Sequence, residues 1–414
     1  MSFPDGFLWG SATAAHQIEG NNLASDFWAL EHAANSRFAE PSGDACDHYR
    51  LFREDIALLA DLGLNSFRFS IEWARVEPED GFFSDAALAH YRDVLEACHA
   101  SGVVPVVTLH HFTSPKWLMG LGGWEYERTP ERFAAYCRTV MAELGDLIPY
   151  ACTLNEANIG RVIRRIVANL GEGRRPRVEQ APVGLGEGPG ASQPGGRAPE
   201  GHFLSQFSDT AFDVITRAHT AARAVIREVS PHTEVGLTLA LQDVQALPGG
   251  EKAAEEVWAE LFEDFLPAIA GDDFLGVQNY SRIRVGPEGV APVPEDAEVT
   301  QMGYEFYPQA LGSVLRAAAS AGLPLIVTEN GLATDDDARR VAFVRSALEG
   351  LERSLADGVD VRGYLHWTLL DNFEWMHGFA PKFGLIAVDR ATQRRTVKES
   401  ARFLGAIARR NALA

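Results

Sequence analysis

Short apolar segments alternate with segments of helical periodicity along the whole 414-residue chain. Apolar runs bounded by turn residues are typical of strands that are buried on both faces, as in a parallel sheet. Eight such segments predict an α/β fold, a single (β/α)8 barrel over residues 1–414, although length alone would suggest two or three domains. The predicted strands are 7–14, 64–70, 103–109, 150–156, 234–241, 274–280, 325–329 and 361–368. Predicted helices include 85–100, 209–229, 251–266 and 396–409.

Two of the predicted strands run directly into a glutamate. Glu329 follows Leu325-Ile326-Val327-Thr328, and Glu156 ends the fourth strand. In parallel α/β folds, ligands bind at the carboxyl ends of the strands. A single glutamate there is usually a solvated strand end, but two on one sheet are the ingredients of acid and nucleophile chemistry on a glycosidic bond.

Further polar residues stand near other strand ends. Arg68 lies among apolar neighbours, and a buried arginine needs a carboxylate partner, either Glu329 or a structural acid. His110 and His111 are adjacent on a strand, so their side chains point to opposite faces and only one can face a shared site. We expect His111 to be the one that donates a hydrogen bond to a sugar. The remaining polar candidates at strand ends are Asn155 and Tyr280.

The alternation of apolar segments and helical segments is interrupted after the fourth predicted strand. Residues 161–206 are rich in Arg, Gly and Pro, which predicts an irregular, mobile loop insertion beside the site. Its glycine-rich run at 184–188 follows no strand and has no Lys-Ser/Thr, so it predicts no phosphate site. Its arginines are expected to meet an acidic part of a substrate, to form a solvated face, or to contact the acidic body of the protein. They are Arg161, Arg164, Arg165, Arg174, Arg175 and Arg177.

The composition of the chain excludes several kinds of binding partner and site. A formal net charge of −20 argues against nucleic acid and anionic membrane surfaces. Four cysteines without a CxxC pair predict neither structural zinc nor a disulfide framework, and they favour a reducing compartment. The segment Cys46-Asp47-His48 fits no ligand spacing, so we expect no metal and no cofactor. With no leader-like or membrane-spanning segment, the sequence favours a cytoplasmic protein.

Six segments, in this order, resemble the retaining β-glucosidases of glycoside hydrolase family one. They are Phe7-Leu8-Trp9-Gly10, Gln17-Ile18-Glu19-Gly20, Phe67-Arg68-Phe69-Ser70-Ile71-Glu72-Trp73, Thr153-Leu154-Asn155-Glu156, Val327-Thr328-Glu329-Asn330-Gly331 and Leu369-Leu370-Asp371-Asn372-Phe373-Glu374-Trp375. The resemblance implies that Glu329 is the nucleophile and Glu156 the acid/base. It also implies that Arg68 and Tyr280 are neighbours of the nucleophile, that Gln17, His111, Asn155, Glu374 and Trp375 hold the glycone, and that Trp367 is the platform under it.

The expected reaction is hydrolysis of a small, unphosphorylated β-D-glucoside, with galactosides or fucosides tolerated. Arg68 should lower the pKa of Glu329, and the negative Glu329 should raise that of Glu156. Retention requires the two carboxyl groups to lie about 5–5.5 Å apart. Glu374 should exclude a 6-phosphate on the glycone.

The chain departs from the family pattern in three places. Ala157 stands where the acid/base motif has proline, Phe112 where the third-strand motif has tryptophan, and Gln278-Asn279 where the sixth has Asn-Tyr. These changes bear on aglycone preference and efficiency more than on reaction type. Three alternatives stay open: a transglycosidase, a catalytically silent sugar-binding protein, which would not need both glutamates, and a metal-dependent barrel hydrolase.

Overall fold

A computed structural model of the chain describes residues 2–168, 201–205 and 207–413. Eight parallel strands close into a barrel in chain order, and the first strand pairs with the last. The predicted (β/α)8 barrel is therefore confirmed. The barrel strands are β1 Leu8–Ala12, β2 Ser66–Ser70, β3 Val104–Thr108, β4 Tyr150–Cys152, β5 Glu234–Ala240, β6 Phe274–Gln278, β7 Leu325–Asn330 and β8 Val361–Trp367.

Side chains of the barrel strands alternate between the barrel interior and the surrounding helices. In β7, Ile326 shares one buried cluster with Phe274 and Leu365 of two other strands. Leu325 and Val327 belong to the larger core formed with the helices. Because both faces of β7 are covered, its sequence is a continuous apolar run rather than an alternating one.

The longer helices lie around the barrel, and two match their predicted bounds to the residue. Ser84 and Ser208 cap these two helices by accepting hydrogen bonds from the backbone N–H three residues later. The longer helices are His48–Asp61, Asp85–Ala100, Thr129–Leu144, Ile159–Ala168, Asp209–Val229, Glu251–Leu261, Ala310–Ala318, Asp337–Ala356 and Glu399–Arg410. Shorter helices are Ala15–Ile18, Asp26–Glu31, Trp73–Val76, Lys116–Leu121 and Leu266–Ile269.

Two predicted helix bounds were wrong. The helix predicted over 251–266 ends at Leu261, and a new short helix follows with Pro267 in its first turn, where proline is tolerated. The helix predicted from residue 396 begins at Glu399, because Arg395–Val397 pairs with Ile386–Val388 as an antiparallel strand. A second small sheet contains Asp243–Ala246, Arg282–Gly286 and Gly289–Val290.

The first residues of the predicted loop insertion are helical instead. Ile159–Ala168 is a helix, with Ile159, Val162 and Ile163 buried on one side. Their spacing at i, i+3 and i+4 is the amphipathic pattern that the arginine content obscured. Residues 169–200, including the glycine-rich run at 184–188, lie outside the described residues.

The arginines of this helix contact the acidic body of the protein, one of the three alternatives predicted for them. Arg174, Arg175 and Arg177 lie outside the described residues. Arg161 pairs with Asp264 at 2.5 Å. Arg164 and Arg165 both pair with the nearly buried Glu260. The helix that follows β4 is thus fixed to the connection between β5 and β6.

His48 has a structural role. Its Nδ1 lies 2.7 Å from Asp55, whose carboxylate also accepts hydrogen bonds from Arg395 at 2.7 and 2.9 Å. Asp55 is completely buried, so its charge depends on these two partners.

The four cysteines are buried free thiols. Among the described residues, no helix combines the length and apolar character needed to cross a membrane.

Candidate active site

Glu329 lies at the end of β7, at the rim where the barrel strands finish. Its carboxylate accepts three hydrogen bonds. Arg68 Nη1 and Gln278 Nε2 donate to Oε1 at 2.6 and 3.0 Å, and Tyr280 Oη donates to Oε2 at 2.6 Å. These bonds fix the carboxylate in place and favour its ionised form.

Arg68 is completely buried and connects Glu329 to the neighbouring strands. The carboxylate partner that its burial predicted is Glu329. Its Nη2 donates to Asn155 Oδ1 at 2.6 Å, and the same oxygen accepts from Gln278 Nε2 at 2.7 Å. Because Asn155 Oδ1 accepts twice, Asn155 Nδ2 is the atom that donates to His111 Nε2 at 3.2 Å.

His111 is held as a neutral imidazole. Burial lowers its pKa well below the ordinary value, and the nearby Arg68 and His110 add to the effect. Since Nε2 accepts from Asn155, the proton belongs on Nδ1, a buried atom without a partner among the described residues. His110 points away and contacts Ser114 at 3.0 Å. The two histidines therefore face apart as expected, although β3 ends at Thr108 and both residues lie in the segment after it.

Glu156 follows β4 and has a left-handed backbone, with φ of 42°. Its carboxyl group accepts no hydrogen bond from the part of the chain that the structure describes. Burial raises its pKa well above the ordinary value, the charge of Glu329 raises it further, and Arg68 opposes both. This carboxyl is therefore suited to hold a proton at neutral pH.

Burial also raises the pKa of Glu329, while the charge of Arg68 and the hydrogen bonds from Tyr280 and Arg68 oppose it. Arg68 lowers this pKa as expected, but desolvation outweighs its effect and leaves the net pKa raised. Of the two carboxyl groups, Glu329 is the one that accepts three hydrogen bonds. These donors favour the charge on Glu329 and a proton on Glu156.

One wall of the pocket is built from β8 and the loop after it. Trp367 Nε1 donates to Glu374 Oε1 at 3.3 Å, and its ring stacks on His111 with centroids 5.6 Å apart. Trp375 also stacks on His111, at 6.2 Å. Gln17 Nε2 donates to the Phe373 carbonyl at 2.7 Å, and its Oε1 is buried without a partner among the described residues. Among the described residues, Gln17 Oε1 and His111 Nδ1 thus offer an acceptor and a donor without a protein partner.

The Glu374 carboxyl is the third buried acid of the site. Burial raises its pKa well above the ordinary value, the bond from Trp367 opposes this, and the charge of Glu329 adds to the rise. Hydrogen bonds and ring contacts join eight of the ten candidate residues into one network: Arg68, His111, Asn155, Tyr280, Glu329, Trp367, Glu374 and Trp375. Gln17 interacts with Glu374 through its side chain, and Glu156 interacts with Glu329 through charge.

Phe112, one of the departures from the family pattern, packs inside the site. Its ring lies 4.8 Å from His111 and 5.4 Å from Trp375, and it offers no hydrogen-bond donor. Trp117 and Trp124, two tryptophans that follow β3 in the chain, are packing residues. Trp124 is completely buried and donates to Ser114, and Trp117 donates to the Glu77 carbonyl.

Three residues of the site were missed. Gln278 stands two residues before Tyr280, so the period of a strand could have placed it on the same face. Thr238 is a polar residue inside an apolar strand, and its Oγ1 accepts from the Glu156 N–H at 3.0 Å. Tyr304 gave no signal in the sequence. Burial raises the pKa of Tyr304, and the charges of Glu156, Glu374 and Glu329 raise it further. The phenol of Tyr304 therefore lies near all three acids.

Within residues 2–168, 201–205 and 207–413, no three His, Cys, Asp or Glu side chains are grouped as metal ligands.

Comparison with known proteins agrees with this geometry. The model of glycosyl hydrolase family 1 matches residues 1–273 and 278–413. A β-glucosidase of Agrobacterium sp. is 31% identical over 98% of this chain and 95% of its own length. A bifunctional β-D-glucosidase/β-D-fucosidase of Bifidobacterium breve is 30% identical over 97% and 96%.

A solved structure, that of the β-glycosidase BGL167, is similar at 54% sequence identity. Its TM-score is 0.89, with 100% of this chain and 98% of that chain covered. The family match extends over nearly the whole sequence, and the barrel and the buried glutamates occur together at one rim. The chain therefore belongs to glycosyl hydrolase family 1 and is a glycoside hydrolase of the β-glucosidase type.

Proposed function

We propose that this protein hydrolyses the bond of a small, unphosphorylated β-D-glucoside by double displacement, with Glu329 as nucleophile and Glu156 as acid/base. The observation that carries the proposal is the asymmetry of the two buried carboxyl groups. Glu329 accepts three hydrogen bonds, whereas Glu156 accepts none from the described residues and lies next to a negative charge. This asymmetry favours an ionised Glu329 and a protonated Glu156, the two states that this reaction requires.

In the first step, a carboxylate oxygen of Glu329 attacks the anomeric carbon. The bond from that carbon to the glycosidic oxygen breaks, and Glu156 gives its proton to the leaving oxygen. The product is a glycosyl ester on Glu329 and a free alcohol. Tyr280 and Arg68 keep the attacking carboxylate oriented.

In the second step, Glu156 is ionised and takes a proton from a water molecule. The water oxygen attacks the anomeric carbon, and the ester bond to Glu329 breaks. The Glu329 carboxylate and the Glu156 acid are both restored. Two inversions at one carbon leave the sugar in its original β configuration.

The polar lining of the pocket supports a neutral glycone. Glu374, Gln17 and His111 offer a carboxyl, an amide oxygen and an N–H to sugar hydroxyls, and Trp367 offers a ring face. A 6-phosphate would place two negative charges against a buried acid. We further propose that a fucoside or galactoside is tolerated, which the name of the Bifidobacterium relative supports for fucose.

Proton NMR of early product from 4-nitrophenyl β-D-glucoside tests the reaction. β-Glucose appearing first, before it mutarotates, supports double displacement. α-Glucose appearing first would instead indicate a single displacement. Binding without release of either anomer, across neutral β-glycosides, would favour a silent sugar-binding protein.

A further inference from the structure

The left-handed backbone of Glu156 is the starting point. A φ of 42° at a non-glycine residue is uncommon, and it persists only where surrounding contacts fix it. This backbone angle aims the Glu156 side chain. The contacts that hold residues 156–158 therefore also set the position of the carboxyl group.

Thr238 of β5 supplies two of these contacts. Its Oγ1 accepts from the Glu156 N–H at 3.0 Å, and its carbonyl accepts from the Ala157 N–H at 3.1 Å. The family motif has proline at position 157, and proline has no N–H to donate. Ala157 thus makes a hydrogen bond that the usual residue could not make.

Asn158 supplies further contacts, because its side chain makes three hydrogen bonds. Nδ2 donates to the carbonyls of Ala240 and Leu261, each at 2.8 Å, and Oδ1 accepts from the Ala240 N–H at 2.8 Å. Asn158 is 1% exposed, so no water competes for these bonds. One side chain connects the residue two after Glu156 to the end of β5 and to the helix Glu251–Leu261.

We infer that Asn158, together with Thr238, is a positioning residue that holds Glu156 in its acid/base position in place of the missing proline ring. The inference rests on the proposed role of Glu156. Without the three bonds of Asn158, the backbone at Glu156 can relax from its left-handed angle, and the carboxyl group moves away from the leaving oxygen.

This role predicts a change that a purely structural role does not. A displaced general acid slows cleavage of substrates with a poor leaving group, which need a proton in the first step. It hardly affects the first step for a dinitrophenyl glycoside, whose leaving group departs unprotonated. The ratio of kcat/KM for the two substrates, measured on one sample, does not depend on how much of the enzyme is folded.

The experiment compares Asn158→Ala and Thr238→Val with wild type, with Glu156→Ala as the reference. Asn65→Ala is the matched control, because Asn65 makes similar side-chain bonds to the Phe7 carbonyl and from the Trp9 N–H at the opposite end of the barrel. The substrates are methyl β-D-glucoside and 2,4-dinitrophenyl β-D-glucoside, the latter with and without azide.

We expect Asn158→Ala to lower kcat/KM for methyl glucoside by about 10- to 100-fold, part of what a positioned general acid provides, and to spare the dinitrophenyl substrate. Azide should accelerate turnover of the dinitrophenyl substrate and yield β-glucosyl azide. Thr238→Val should shift the ratio in the same direction, which keeps the test valid if Asn158→Ala does not fold. Asn65→Ala should leave the ratio at its wild-type value.

An equal loss for both substrates in Asn158→Ala and Thr238→Val, while Glu156→Ala shows the selective loss and azide rescue, would overturn this inference alone. If Glu156→Ala itself shows no leaving-group dependence, the proposed role of Glu156 fails, and the inference fails with it.

Discussion

The side-chain amide of Gln278 donates to Oε1 of Glu329 at 3.0 Å while it also donates to Oδ1 of Asn155 at 2.7 Å. The family pattern has the shorter asparagine at this position. The longer side chain of Gln278 holds the proposed nucleophile and Asn155 at a fixed separation, and both lie against Arg68. This departure from the pattern therefore keeps the donor that the nucleophile needs.

Replacing Gln278 by methionine should weaken catalysis. The change keeps the length of the side chain and removes one donor to a charged carboxylate, a bond worth about 1.5–3 kcal/mol. We expect kcat/KM for 4-nitrophenyl β-D-glucoside to fall by about 10- to 100-fold. Gln278→Asn, which retains an amide, is the control and should lose less. A Gln278→Met enzyme as active as wild type would show that Arg68 and Tyr280 suffice.

The proton on Glu156 should depend on the charge of Glu329. Because a nearby negative charge disfavours ionisation, Glu329→Gln should lower the pKa of Glu156 towards its ordinary value. Carbon-13 NMR titration of labelled glutamates in the inactive variant measures this directly. Glu374→Gln is the control and should leave that pKa nearly unchanged. An unchanged or higher pKa in Glu329→Gln would contradict the coupling.

The same electrostatics predict a bell-shaped dependence of kcat/KM on pH. Activity falls at low pH as Glu329 is protonated, and at high pH as Glu156 loses its proton. Since burial raises the pKa of both groups, both limbs should lie above the values of free glutamate. A profile that stays flat from acid to alkaline pH would be inconsistent with this pair.

Glu374 should discriminate against phosphorylated sugars. Moving a charged phosphate out of water beside the buried Glu374, whose described contacts include no cation, is costly, so wild type should cleave 4-nitrophenyl β-D-glucoside at least about 100-fold faster than its 6-phosphate. Glu374→Ser should reduce this ratio, mainly by losing activity on the neutral sugar. Faster cleavage of the 6-phosphate by wild type would overturn the assignment of Glu374.

The buried carboxylate of Asp55 should contribute to stability in a pH-dependent way. Burial raises its pKa, but hydrogen bonds from Arg395 and His48 outweigh this and leave the net pKa below the ordinary value. Because folding lowers this pKa, the Asp55 carboxylate stabilises the fold at pH values above its unfolded-state pKa of about 3.9. This stabilisation is lost as the pH falls through the folded-state pKa.

At pH 7, Asp55→Asn should lower the free energy of unfolding by about 3–5 kcal/mol, because Arg395 is left buried without its charged partner. Urea denaturation with a matched surface variant, Asp93→Asn, measures the difference. The Asp93 pair with Arg53 is exposed, so its loss should cost less than about 1 kcal/mol. Equal effects of the two variants would show that the buried pair contributes no more than a surface pair.

The sequence predicted the barrel because its signal is local and repeated. Each strand of β1 to β8 is an apolar run, and the rule that parallel strands present their carboxyl ends to one rim brings Glu156 and Glu329 together. Arg68 was predictable as their neighbour because a buried arginine needs a carboxylate. The family motifs supplied the residues that lie on loops, such as Glu374 and Trp375.

What could not be predicted depends on contacts between distant segments. The net pKa of Glu329 is set by desolvation, which requires the folded structure. The bonds from Thr238 to Glu156 join β5 to the loop after β4, and nothing in either segment indicates them. The helix Ile159–Ala168 was read as part of a loop because its arginines are held by Glu260 and Asp264, about 100 residues away in sequence.

The most direct test of the account is azide rescue of Glu329→Gly with 2,4-dinitrophenyl β-D-glucoside. Removing the carboxylate should abolish turnover, and azide should restore it by occupying the vacated space and attacking the same face of the sugar. The predicted product is α-glucosyl azide, inverted because only one displacement occurs. Full activity without azide, or a β-configured azide product, would contradict the assignment of Glu329 as the nucleophile.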